Sequence, residues 1–146
     1  MVKISAGSYD LNKWLYGGYE TDIVTVIYGP PASGKTNLCL LEAVSQVKKG
    51  NKVIYIDTEG GFSIERIKQI SPNDQEILKN ILLLKPTNFE EQQGVFKNLQ
   101  KYLKDHISLI VVDSLTIQYR LDFALEKKTN NERGMQKLNT ELVKKI

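Results

Sequence analysis

The sequence predicts an α/β fold in which a mostly parallel sheet is flanked by helices, and three observations predict it. Short apolar runs rich in β-branched residues, at 23–28, 53–56, 81–84 and 107–114, alternate with stretches of helical spacing. Such continuous apolar runs suit strands covered on both faces, as parallel strands are. Between the first run and the first helical stretch lies Gly29-Pro30-Pro31-Ala32-Ser33-Gly34-Lys35-Thr36, which fits G-x-x-x-x-G-K-[ST] at every fixed position. Finally, acids stand at the C-terminal ends of two runs: Asp57 and Glu59 after 53–56, and Asp113 after 109–112. Open α/β sheets place their ligand chemistry at that edge.

Taken in order, residues 10–15 read as one or two helical turns with Leu11, Trp14 and Leu15 on one face, ended by Gly17 and Gly18. Ile23-Val24-Thr25-Val26-Ile27-Tyr28 reads as a buried strand feeding the loop. A long helix is expected over 34–49, with Leu38, Leu41, Val44 (or Ser45) and Val47 spaced for burial and Lys48-Lys49-Gly50 as its stop. The second strand, 53–56, runs into Asp57-Thr58-Glu59-Gly60-Gly61. Ser71-Pro72 resembles an N-cap followed by proline at the first helical position. A third strand covers 81–84. Thr87-Asn88-Phe89-Glu90 fits a capping box, opening a helix with Gln92, Val95, Phe96, Leu99, Tyr102 and Leu103 on one side. The fourth strand is 107–114. Residues 115–130 lack clean periodicity and read as a mobile loop. A last helix is expected from Asn131, with Met135, Leu138, Leu142 and Ile146 spaced for burial.

The residue types of the loop have a chemical reason. Backbone N–H groups turned inward hold a polyphosphate without side-chain bulk, and Gly29 and Gly34 permit the close approach. A helix opening at Gly34 aims its free N–H groups and positive dipole end at the same anion. The candidate nucleotide-binding residues are therefore Gly29, Pro30, Pro31, Ala32, Ser33, Gly34, Lys35, Thr36 and Asn37. Lys35 serves as a point charge. Thr36 and Asp113 offer oxygen ligands suited to Mg²⁺.

A chain of 146 residues, 41% hydrophobic and 25% charged, suits one domain with a real core. No apolar run approaches the roughly 20 residues of a bilayer span, and no signal-peptide core opens the chain, so a cytoplasmic location is expected. Cys39 is the only cysteine and His106 the only histidine, which excludes a Cys/His metal cluster. Cys39 reads as a small buried hydrophobe and His106 as a surface residue. Net charge is +3, and residues 120–146 carry the whole excess, with seven bases against four acids. That distribution permits a polyanionic partner without requiring one.

The residues also resemble the RecA/RadA recombinase superfamily, and within it the short archaeal RadB branch. The resemblance is carried by Lys3-Ile4-Ser5-Ala6-Gly7-Ser8 with Leu11 and Gly17-Gly18, by the phosphate loop, and by Tyr55-Ile56-Asp57-Thr58-Glu59-Gly60. Leu109-Ile110-Val111-Val112-Asp113-Ser114 and Tyr119-Arg120 complete it. Asn12 stands where that family commonly has Asp. The resemblance implies a RecA-like core over residues 1–146 that binds ATP with Mg²⁺ and hydrolyses it weakly. Glu59 would activate the attacking water, Lys35 would offset phosphoryl charge, and Asp113 would support the metal. It further implies DNA binding through Arg120, Lys127, Lys128 and Arg133, and a helper role beside a main recombinase or other repair proteins, with homo-oligomers possible. Set against that family, the N-terminal DNA-binding domain is expected to be absent. The C-terminal strands, including the one between the phosphate-loop and Asp113 strands, are expected to be missing from residues 1–146, so the core reads as truncated at its C-terminal side or completed by something else. Two other readings stay open: a KaiC-like signalling ATPase acting through proteins without DNA, and a nucleotide-gated mediator.

Overall fold

The computed structural model describes residues 2–103, 106–129 and 132–144. The larger sheet has three parallel strands in the order β4 (Ile81–Leu84), β3 (Lys52–Asp57), β5 (Ile107–Asp113). Residues Val53 to Asp57 are all buried, as expected for a central strand covered on both faces. One face packs on α2 (Lys35–Lys48), α3 (Ile64–Ile70) and α4 (Asp74–Lys79), where Leu40, Ala43, Val44, Val47, Ile67 and Ile77 meet Val53, Tyr55 and Val111. α5 (Phe89–Tyr102), α6 (Ile117–Lys128) and α7 (Glu132–Val143) follow in the chain. A two-stranded antiparallel ribbon, β1 (Lys3–Ile4) with β2 (Tyr19–Glu20), flanks the short α1 (Tyr9–Trp14).

Register matters most at the C-terminal edge. Asp57 of β3 lies opposite Asp113 of β5, so both carboxylates stand at adjacent strand tips. A backbone bond from the Thr58 N–H to the Asp113 carbonyl (2.9 Å) extends the pairing past the last ladder residue. The three strands, α1 and the helices at 35–48 and 89–102 match expectation within a residue or two.

Several expectations need correction. The run 23–28 is not a strand of the sheet. Val24 is 82% and Tyr28 92% exposed, and the segment has no ladder partner among the described residues. β-branched composition favours extended backbone, but a strand also needs a neighbour's N–H and C=O groups, and β5 pairs only with β3 among the described residues. Residues 115–130 are not a loop: α6 occupies Ile117–Lys128. Its inward side is mixed, with buried Gln118 beside the stacked rings of Tyr119 and Phe123, while Leu121 and Leu125 are exposed. That mixture hides the period. Tyr119 also meets Phe89 of α5 edge-on at 6.0 Å and donates its hydroxyl to Asn139 of α7.

Caps shift too. Ser71 ends α3, and Asn73 rather than Ser71 caps α4. α5 is capped by Asn88, whose side chain accepts from the Glu91 N–H (2.8 Å), while Glu91 reaches back to the Thr87 N–H at 2.7 Å. The capping box thus sits one residue later than expected. In α2 the fully buried stripe is Leu40, Ala43, Val44 and Val47, with Leu38 and Leu41 half-buried. Trp14 is exposed rather than packed on its helix face. The helix start at Asn131 and the burial of Ile146 lie outside the described residues.

Cys39 packs against the core, where burial and the nearby Asp113 and Glu42 push its thiol up to about 12. His106 is exposed, as expected. Glu42 is buried on the same helix, and burial raises its carboxyl to about 7. The folded chain therefore holds this proton more tightly than the unfolded chain. Its contribution is present at acid pH and is lost as pH rises from the ordinary carboxylate range through 7. Glu42→Gln is expected to raise the melting temperature above pH 7 and to flatten its decline between pH 5 and 7, as read by thermal melts across that range.

Candidate nucleotide site

The phosphate loop and the two strand tips come together at the N-terminus of α2. Gly34 caps that helix in the left-handed region (φ 91°) with no side-chain cap bond. Ala32 is also left-handed (φ 62°), and the Ser33 N–H closes a turn on the Pro30 carbonyl at 3.3 Å. A side chain at Gly29 would run into the Ser33 hydroxyl, since a Cβ there falls 2.9 Å from Oγ. The first turn of α2 holds no acid, whereas those of α3 and α5 hold Glu65 and Glu90 with Glu91. A helix N-terminus without its own carboxylate leaves its N–H groups and dipole for an anion from outside. Lys35 turns back over the loop, its Nζ donating to the Gly29 (3.0 Å) and Pro30 (2.9 Å) carbonyls. Neither bond is to a carboxylate, so neither supplies the ammonium with a counter-charge.

Thr36 and Asp113 meet directly. The Thr36 hydroxyl donates to Asp113 Oδ2 at 2.7 Å, and the Tyr55 hydroxyl donates to the same oxygen at 3.1 Å. Burial and the Asp113 charge push the Tyr55 hydroxyl's pKa upward, keeping it a donor. Gly61 closes the space beside them: a Cβ there would stand 3.4 Å from Thr36 Cγ2. A hydroxyl and a carboxylate oxygen at adjoining positions are the hard donor set that suits Mg²⁺, which keeps several waters of its own. The residues present fit that ion.

Glu59 is held at the neighbouring tip by Asp57 and Ser114. Asp57 Oδ1 accepts from the N–H groups of Glu59 (3.3 Å), Gly60 (2.8 Å) and Gly61 (3.0 Å), and Oδ2 accepts from Phe62 (3.1 Å). This buried carboxylate is thus the anchor of the turn that presents Glu59, not a ligand facing outward. The Ser114 hydroxyl donates to Glu59 Oε1 at 2.7 Å. Asn37, in the first turn of α2, is exposed. Arg120, Lys127 and Lys128 are exposed on α6 and Arg133 on α7. The signal that singles out Asp57 is its place at a strand end ahead of two glycines, where a carboxylate can cap successive turn N–H groups.

A parallel sheet whose strand tips present acids to a Gly-Lys-Thr loop defines an α/β protein of the RecA-like, phosphate-loop class. A profile of the Rad51 family matches residues 1–145, and the chain belongs to that family. It is 42% identical over 137 residues to DNA repair and recombination protein RadB of Methanococcus maripaludis (strain C7), covering 93% of this chain and 60% of that protein. With the RadB of Methanocaldococcus jannaschii the identity is 46% over 121 residues, covering 82% and 57%. A solved structure described as the crystal structure of the RadB recombinase matches with a TM-score of 0.72 at 35% identity, over 95% of this chain and 64% of that one. The chain therefore spans somewhat more than half the length of the curated relatives it matches. No helix among the described residues is long and apolar enough to cross a membrane.

Proposed function

We propose that the chain is the RecA-like ATPase core of a DNA repair and recombination protein. It binds ATP with Mg²⁺ at the phosphate loop, hydrolyses it slowly, and contacts DNA through the basic side of α6 and α7. The observation that carries this reading is the Thr36–Asp113 bond of 2.7 Å beside a Glu59 fixed by Asp57 and Ser114. It supports the reading because a hydroxyl and a carboxylate suited to a metal lie at the same sheet edge as the Glu59 carboxylate.

In this reading the backbone N–H groups of Gly29 and of residues 32–36 cradle the phosphates, and Lys35 leaves its two carbonyl partners for a phosphoryl oxygen. Thr36 and Asp113 would hold Mg²⁺, which supplies charge neutralisation across the phosphates. Glu59 orients a water and takes its proton as the phosphoanhydride bond breaks. Asn37 follows the loop at the phosphate end of α2. A cytoplasmic repair setting, with a main recombinase or other repair proteins as partners and self-association of the full-length protein, belongs to the same reading. No observation favours a KaiC-like signalling role, while the relatives bear names of DNA repair and recombination proteins.

DNA binding has its own test. Arg120, Lys127, Lys128 and Arg133 are exposed, and phosphate neutralisation by such bases makes affinity fall with salt. In the full-length protein, the Lys127→Ala/Lys128→Ala double variant is expected to weaken single-stranded DNA binding. It should also reduce the log–log salt slope by about 1.4, about 0.7 for each phosphate of a single strand left unneutralised. Fluorescence anisotropy across a salt series reads both quantities. An unchanged affinity and slope would remove Lys127 and Lys128 from the DNA interface.

A further inference from the structure

We propose that Ser114 is a positioning residue for Glu59, and that Gln118 makes its grip depend on the placement of α6. This rests on the reading of Glu59 as the base and adds a route by which a ligand on α6 regulates that base. Glu59 is itself exposed, and its carboxylate accepts the Ser114 hydroxyl at 2.7 Å. A bond to Oε1 leaves Oε2 to meet a water, and it restricts the rotation of the carboxylate.

Ser114 in turn is fixed by Thr58. The Thr58 hydroxyl donates to the Ser114 carbonyl at 2.7 Å and accepts from the Ser114 N–H at 2.8 Å. Thr58, the residue before Glu59, accepts at its own carbonyl from Gln118 Nε2 at 2.8 Å. Gln118 is buried on the second residue of α6, and Arg120 stands exposed two residues further along the same helix. A second buried amide, Gln92 of α5, donates to the Leu115 carbonyl at 2.9 Å and pins the short link between β5 and α6. Buried amides bonded to backbone carbonyls are directional and costly to leave unpaired. A shift of α6 by a fraction of a hydrogen-bond length therefore strains the Gln118–Thr58 bond, and the strain reaches Ser114 and the Glu59 carboxylate through Thr58. Anionic ligands held by Arg120, Lys127 or Lys128, all exposed on this same helix, would pull on it.

The test uses the full-length protein with Glu59→Gln, Ser114→Ala, Ser114→Thr and Gln118→Met. It reads turnover at saturating magnesium and ATP, and calorimetric affinity for a non-hydrolysable ATP analogue. Ser114→Ala and Gln118→Met are each expected to lower kcat by about tenfold with analogue affinity within about twofold, a loss confined to the transition state. Ser114→Thr, which keeps the hydroxyl, is expected to recover most of the rate. A merely structural role would lower affinity along with kcat, and that result overturns the proposal. So does wild-type turnover in Ser114→Ala, or a Ser114→Thr protein as slow as Ser114→Ala. Gln118→Met gives an independent reading should Ser114→Ala fail to fold, because methionine fills a similar volume without the donor. If Glu59→Gln is inactive and Ser114→Ala is not slowed, only the positioning proposal falls. If Glu59→Gln turns over like wild type, or wild type does not turn over, the base assignment falls and takes this proposal with it.

Discussion

Glu59→Gln is expected to lower ATP turnover by about 10²–10⁴-fold, the range that positioned acid–base groups supply. Nucleotide affinity should stay within about twofold, because in the proposed reading that affinity would come from the loop amides, Lys35 and the Thr36–Asp113 pair. The two effects separate because Glu59 bonds to none of those groups: its carboxylate meets Ser114 and its N–H meets Asp57. Glutamine keeps the size and can still accept from Ser114, so the turn at 57–61 should hold its shape. What it loses is the ability to take a proton. Single-turnover rates with calorimetric affinities check the split, and a glutamine variant as fast as wild type would mean that another group activates the water.

Asp57→Ala should be strongly damaging to both stability and turnover. One buried carboxylate satisfies four successive N–H groups, at Glu59, Gly60, Gly61 and Phe62. Hydrogen bonds to a charged partner contribute about 1.5–3 kcal/mol each when fully desolvated. Glu59, Gly60 and Gly61 are exposed, so water can replace part of what is removed. The expected loss is therefore about 2–4 kcal/mol rather than the sum, read as a lower denaturation midpoint at unchanged m. Turnover should fall as well, because the backbone that presents Glu59 loses its anchor. Asp57→Asn, which keeps one acceptor oxygen, is expected to fall between wild type and the alanine variant.

Most of the site is legible in the sequence because its chemistry is local. The loop needs its glycines, lysine and threonine within eight residues, and the strands at 53–56, 81–84 and 107–114 announce themselves by the apolar runs 53–56, 81–84 and 109–112. The run at 23–28 has the same composition but lies exposed, because composition favours extension without supplying a neighbouring backbone to bond. α6 escapes a pattern reading since its inner side uses Gln118 to bond a carbonyl, so polarity and burial no longer run together. α3 does leave a signal, in Ser63 accepting from the Arg66 N–H and in the spacing of Ile64, Ile67 and Ile70, but it is short enough to pass for a loop. The positioning role of Thr58 depends on bonds to Ser114, 56 positions away, which no local pattern encodes.

Whether the loop, Lys35, Thr36 and Asp113 act as one magnesium–nucleotide site is decided by calorimetric titration of ATP into the full-length protein. The titration is run with and without Mg²⁺ and beside Lys35→Ala. We expect one site per chain that weakens sharply when the metal is chelated and loses about 100-fold in affinity in Lys35→Ala, the worth of a charge-assisted bond. ATP affinity indifferent to both magnesium and Lys35 would rule that site out.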